Sequence, residues 1–196
     1  MANYRTVITV DNKEYSTLRD ILPDSGTLEI LFIAKTPALL SVQVGHYFQG
    51  KQGKMFWNKL QEYGILHVPK GEHADEHLLF NNYGITDIVK IPRNYGNEPS
   101  DEEYIIGIKR IMGNINTFRP RVIIFVYKRV LDNILKHNFN LQTKSSYGFN
   151  PILEDYFHSK VFVFPMPGTP CNKEMADVFM EELRMFLEIK IDPISY

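Results

Sequence analysis

The chain of 196 residues has a single cysteine, Cys171, which excludes an intramolecular disulfide, a multi-cysteine zinc site and the thiolate set of an iron–sulfur cluster. It has no uncharged apolar run approaching the roughly 18 residues of a membrane-spanning helix. Met1–Arg5 leads into no apolar stretch of the kind that forms the core of a secretory signal. A reducing, cytoplasmic setting is expected. Excess charge of one sign is also missing: 22 Lys and Arg stand against 23 Asp and Glu, so a polyanion would have to be met by a local patch. Repeats, low-complexity tracts and Ser/Gly linkers are absent. With 44% apolar and 13% aromatic residues, the composition is not that of a disordered chain. Residues 1–196 are expected to form one domain around one core, and the chain to act as a monomer.

What is present alternates in type. Thr6-Val7-Ile8-Thr9-Val10 runs into the polar turn Asp11-Asn12-Lys13 and reads as a short peripheral strand. Leu28–Ala34 is almost continuously apolar over a strand's length, as expected of a strand covered on both faces. Phe56, Trp57, Leu60 and Tyr63 recur at helical spacing before Gly64. Ser100-Asp101-Glu102-Glu103 has the form of a capping box, after which Tyr104, Ile108, Ile111, Met112 and Ile115 share one face. Val122–Val126 and Val161–Phe164 are further buried strands. Helices are expected over 129–137 and from Met175 to Leu187. Strands separated by helices predict an α/β fold, a three-layer α/β/α sandwich with a central, mainly parallel sheet of about four strands. Working residues in such sheets lie beyond the carboxyl ends of the strands, here on loops 35–54, 87–99 and 165–172.

Those three loops carry a resemblance. Ala34-Lys35-Thr36-Pro37-Ala38, then Gly45-His46-Tyr47-Phe48-Gln49-Gly50 and Phe56-Trp57, are similar in order and approximate spacing to the G-I-N-P-G, G-H-H-aromatic and F-W motifs of the mismatch-specific uracil/thymine-DNA glycosylases, a branch of the uracil-DNA glycosylase superfamily. Gly84–Val89 resembles the family's G-[IV]-T-[DN]-[LM]-V segment, and Met166-Pro167-Gly168-Thr169-Pro170 stands where its M-P-S or N-P-S motif belongs. The resemblance covers roughly residues 16–187 and implies base flipping and hydrolysis of an N-glycosidic bond, with DNA as partner and no cofactor or metal. The chain departs from the pattern in the first and last of these motifs. The water-positioning Asn is Thr36, Ala34 and Ala38 replace the first motif's glycines, and Gly168, Thr169 and Pro170 replace the Ser and its neighbours that press into the duplex.

The resemblance assigns candidate roles, each with a plainer alternative. Phe48 matches the aromatic that stacks under a flipped base; the alternative is a loop anchor in the core. Asp87 is placed to accept from a base N–H or to activate water, or else it caps a turn. The Thr36 hydroxyl holds water, or only shapes a Thr-Pro turn. His46 donates to the base or a phosphate, or is a structural hydrogen-bonder. Asn82 is, with Asp87, the nearest candidate by sequence for a polar group reaching the pocket. Lys51, Lys54, Lys90, Arg93 and Lys173, with Gly168 and Thr169, make a DNA-binding rim, or the cations are scattered surface charges. His73-Ala74-Asp75-Glu76-His77 fits the zinc pattern H-x-x-E-H literally, but it is short and framed by no long helix, so no zinc site is expected. Catalysis on uracil, thymine or a deaminated purine such as hypoxanthine stands beside binding of nucleic acid or a nucleotide without hydrolysis.

Overall fold

The computed structural model describes residues 2–94, 96–166 and 170–189. Two β-branched or alternating segments, β1 (Arg5–Val10) and β2 (Lys13–Leu18), pair antiparallel. Their turn is only Asp11 and Asn12, both left-handed at φ 49° and 60°, the backbone that lets a two-residue hairpin match strand twist. β3 (Ile30–Ala34) follows, then α1 (Leu39–Val44), α2 (Lys51–Glu62) and β4 (Tyr83–Asp87). After these come α3 (Asp101–Phe118), β5 (Val122–Phe125), α4 (Lys128–Asn138), β6 (Gly148–Phe149), α5 (Glu154–Phe157), β7 (Lys160–Val163) and α6 (Lys173–Phe186).

The main sheet has the order β4-β3-β5-β7-β6, parallel throughout except for β6. It has five strands rather than about four, because the two-residue β6 is too short to leave a pattern in the sequence. Every residue of β3 and β4 is buried, which is why β3 reads as an unbroken apolar run rather than an alternating one. Alternate strand residues still go to opposite layers. Ile30, Phe32, Val122 and Ile124 pack with Phe56, Leu60 and Met180 of α2 and α6, while Leu31, Ile33, Ile123 and Phe125 pack with Ile108 and Ile111 of α3 and Leu131 of α4. The three-layer α/β/α architecture is thus observed.

Strand ends are aligned. Ala34 lies opposite Asp87, Ile33 opposite Phe125, and Phe125 opposite Val163. The loops that follow β3, β4 and β5 therefore emerge together. The capping box at Ser100 is complete: Glu103 N donates to the Ser100 side chain, and Ser100 N donates to Glu103 Oε2 at 2.8 Å. α3 comes close to the segment after β4 because Gly107 has no side chain; a Cβ there would lie 2.0 Å from the Ile88 carbonyl oxygen. The segment that follows the hairpin docks on the outer edge of β4, where Ile21 and Ile85 exchange backbone hydrogen bonds of 3.0 Å in both directions. That covers an edge which would otherwise offer unpaired backbone groups. Among the described residues no helix is long and apolar enough to cross a membrane.

Candidate functional site

A cavity of about 440 Å³ opens where the loops after β3, β4 and β5 meet. Thr36, Phe48, Lys51, Asp87 and Arg93 all line it, with Tyr127 from the end of β5. It lies beyond the carboxyl ends of β3 and β5, between which the order of connection reverses, the place where open α/β sheets bind ligands. The loops are tied across it. Arg93 N donates to the Pro37 carbonyl at 3.0 Å, and Lys35 Nζ donates to Glu98 Oε1 at 2.7 Å.

Asp87 ends β4 and is 1% exposed. Its Oδ2 accepts no hydrogen bond from any described residue, and the nearest cation, Lys90 Nζ, is 3.6 Å away. The cations that could neutralise it are engaged by Asp20: Lys90 donates to Asp20 Oδ1 at 2.7 Å and Arg110 to Asp20 Oδ2 at 2.5 Å. Arg110 also donates to the main-chain carbonyl of Asp87, reaching it from α3 one turn beyond Gly107. Burial pushes the Asp87 carboxyl up to about 6. Lys90 draws it down, Asp20 raises it and Arg110 lowers it again. Tyr47 lies close enough to favour the charged form, although its hydroxyl donates to the Arg19 carbonyl at 3.1 Å. Near neutral pH the group is mostly ionised, a buried base with an acceptor site to spare.

Phe48 is half-buried and sits at φ 57°, a backbone conformation that costs a side chain energy unless its surroundings impose it. Gly53, in the first turn of α2, lies so close that a Cβ would be 2.4 Å from the Phe48 carbonyl oxygen. Phe48 lines the cavity, and its ring packs against Phe56 and Trp57, with centroids 4.9 and 5.6 Å away. The residue is therefore at the cavity and anchored to the core as well. Thr36 is half-buried in the cavity wall.

Two expected base contacts are corrected by the structure. His46 does not line the cavity. It is 4% exposed, its Nδ1 lies 2.9 Å from Asp75 Oδ1, and its ring stacks on His73 with centroids 3.6 Å apart. Asn82 is exposed at the opposite end of β4, left-handed at φ 58°. A strand of five residues separates it from the cavity by about 16 Å. Among the cations, Lys51 lines the cavity from the start of α2, with Lys54 exposed nearby, and Lys173 is exposed at the start of α6. Arg93 lines the cavity but is ion-paired with Glu103. Lys90 belongs to the Asp20 network instead of an open rim. Gly168 and Thr169 lie outside the described residues. The zinc-like segment forms a 3₁₀ turn over Ala74–His77, where His77 pairs with Glu72 while His73 stacks on His46.

Lys35, Asn94, Asn97 and Gln52 also line the cavity. Lys35 lies within the first motif without a role there, and the other three fall in no motif; both asparagines lie within the loop expected after β4, so loop position is the available signal. Asp20 and Arg110 have none, being 90 residues apart in the chain. The strand order and the cavity at its switch point fit many ligand-binding α/β proteins, and a family model narrows the choice: that of the uracil-DNA glycosylase superfamily matches residues 23–180, from just after the hairpin to within α6. On that match, which spans most of its length and all three cavity loops, the chain belongs to the uracil-DNA glycosylase superfamily.

Proposed function

We propose that the protein is a DNA glycosylase of the mismatch-specific uracil/thymine type that flips a mismatched or deaminated base, of the uracil, thymine or hypoxanthine class, into this cavity and hydrolyses its N-glycosidic bond. The observation that carries the reading is Asp87: a carboxylate buried in the cavity wall, raised to about 6, with an oxygen that accepts no hydrogen bond from a described residue. In this reading Asp87 takes the role of water-activating base that Thr36, lacking an amide, fills poorly, and the Thr36 hydroxyl helps to hold the water. Phe48 stacks on the extruded base, and Lys51, Lys54 and Lys173 contact phosphates.

Binding without hydrolysis is the second reading. It is favoured by Thr36 standing where an amide is expected, and by the two cations that surround Asp87 and could make it a structural charge. Labelled duplexes containing G·U, G·T or hypoxanthine pairs, treated with protein and then alkali, separate the two. Slow base release that disappears in Asp87→Asn is the expected outcome. Base-dependent binding with no release from any of these duplexes would overturn hydrolysis in favour of binding alone.

A further inference from the structure

Asp75 is fully buried and lies outside the cavity lining. Its Oδ2 accepts from Tyr47 N at 2.7 Å, and its Oδ1 lies 2.9 Å from His46 Nδ1. The carbonyl of the same Tyr47 accepts from Trp57 Nε1 at 3.1 Å and Gln49 Nε2 at 2.9 Å. Both sides of Tyr47 are thus held, by a turn formed well downstream and by α2. The next residue is Phe48, in the left-handed backbone conformation at φ 57°. A non-glycine residue keeps that conformation only where its neighbours over-determine it. Gly53 fixes the far side of Phe48 through backbone contact. His73 backs the arrangement by stacking on His46 at an interplanar angle of 12°, and Tyr4 meets the His46 ring edge-on at 5.7 Å.

We propose that Asp75 is a positioning residue for the base-stacking aromatic: by clamping the Tyr47 N–H it fixes the His46–Tyr47 peptide, while Trp57 and Gln49 hold the Tyr47–Phe48 peptide by its carbonyl, and the two restraints together set the direction in which Phe48 leaves the chain beside the cavity. This rests on the glycosylase reading for what the ring stacks upon. Without the carboxylate the Tyr47 N–H has no acceptor, and Phe48 relaxes toward extended backbone, which swings its ring from the cavity wall. The segment with the zinc-like spacing then has a different use, since one of its acidic residues shapes the aromatic wall from behind.

The chain's one tryptophan, Trp57, is hydrogen-bonded to this segment and reports on it by fluorescence. The test uses the full chain at low temperature with two duplexes, one carrying a non-hydrolysable 2′-fluoro-deoxyuridine opposite guanine and the other a tetrahydrofuran abasic site. The parent protein is expected to prefer the base-containing duplex by about tenfold, the scale of one base–aromatic stack. Phe48→Ala and Asp75→Ala should each lose that preference, Asp75→Ala should also shift Trp57 emission, and Asp75→Asn, which retains an acceptor, should restore both. If Asp75→Ala does not fold, Asp75→Ser is read in the same way, because its hydroxyl is too short to replace the carboxylate. A variant that melts earlier yet keeps the parent's preference and emission would overturn the proposal and leave Asp75 merely structural. Equal binding of both duplexes by parent and Phe48→Ala would overturn the glycosylase reading instead, and Trp57 emission alone would then decide whether Asp75 sets this segment's conformation.

Discussion

Asp75 and Asp87 are the two most deeply buried carboxylates among the described residues, at 0% and 1% exposure, and burial raises the pKa of both. Their surroundings differ. Asp75 is met by a backbone N–H and an imidazole, whereas Asp87 faces cations already shared with Asp20 and keeps an oxygen that accepts from no described residue. Burial alone therefore does not mark a reactive group. What separates the two is how much hydrogen-bonding capacity is left over and whether it lies beside a cavity.

The largest expected break in this comparison is catalytic. Asp87→Asn should lower single-turnover base release by about 10²–10⁴, the usual contribution of a positioned base, while Asp75→Asn retains most of it; an alkali-cleavage time course measures both. Next is pH. Because the Asp87 carboxyl is raised from 3.8 to about 6 on folding, the folded state holds this proton more tightly than the unfolded chain. Its contribution to stability is then fully present below about pH 4 and lost as pH rises through about 6, by at most about 3 kcal/mol. Denaturant melts across that range should show the decline, and Asp87→Asn should remove it. Base release runs the other way, rising as the carboxylate ionises and levelling above about pH 7.

The third contrast is in stability at neutral pH. Asp75→Ala leaves the Tyr47 N–H and the His46 ring without their acceptor and should cost about 1–3 kcal/mol in urea denaturation, whereas Asp87→Asn removes a poorly compensated buried charge and should cost little or stabilise. Lys90→Gln sharpens the comparison from the other side. With the nearest cation gone, the pH–rate profile should move to higher pH, since Lys90 draws the Asp87 carboxyl down. The smallest effect belongs to exposed charge: replacing Lys51 and Lys54 by Ala should reduce the salt slope of DNA binding by about 2, roughly 0.9 for each phosphate deprived of its cation, as read by fluorescence anisotropy over a salt series.

Elements with strong local signatures are legible in the sequence. Leu28–Ala34 contains β3, the Ser100 box opens α3, and Val122–Val126 contains β5. β2 is not, because Lys13-Glu14-Tyr15-Ser16-Thr17-Leu18 lies mostly exposed on a hairpin and shows no apolar face until it meets the core at Thr17 and Leu18. At the site, the rule that loops follow the carboxyl ends of strands is enough to bring Thr36, Phe48 and Asp87 to one cavity. Closeness in sequence to Asp87 misleads for Asn82, which stands at the other end of the same strand. The loop rule fails for His46, whose partner Asp75 comes from a turn 29 residues away. Local pattern does not encode such long-range pairings, and these are what divide the two aspartates.

Because β1 and β2 are joined through Asp11 and Asn12 alone, their pairing closes a very short loop, a process on the scale of about 1–10 μs. β3 must instead find a partner on the far side of α1, α2 and two 3₁₀ turns, and every parallel pairing in the main sheet carries a similar loop-closure entropy. A hairpin this exposed is marginal by itself, so it is expected to form and open repeatedly until Ile85 arrives to pair with Ile21, three residues beyond β2. Refolding of this chain is accordingly expected to be paced by the long crossovers of the parallel sheet, and not by the N-terminal hairpin.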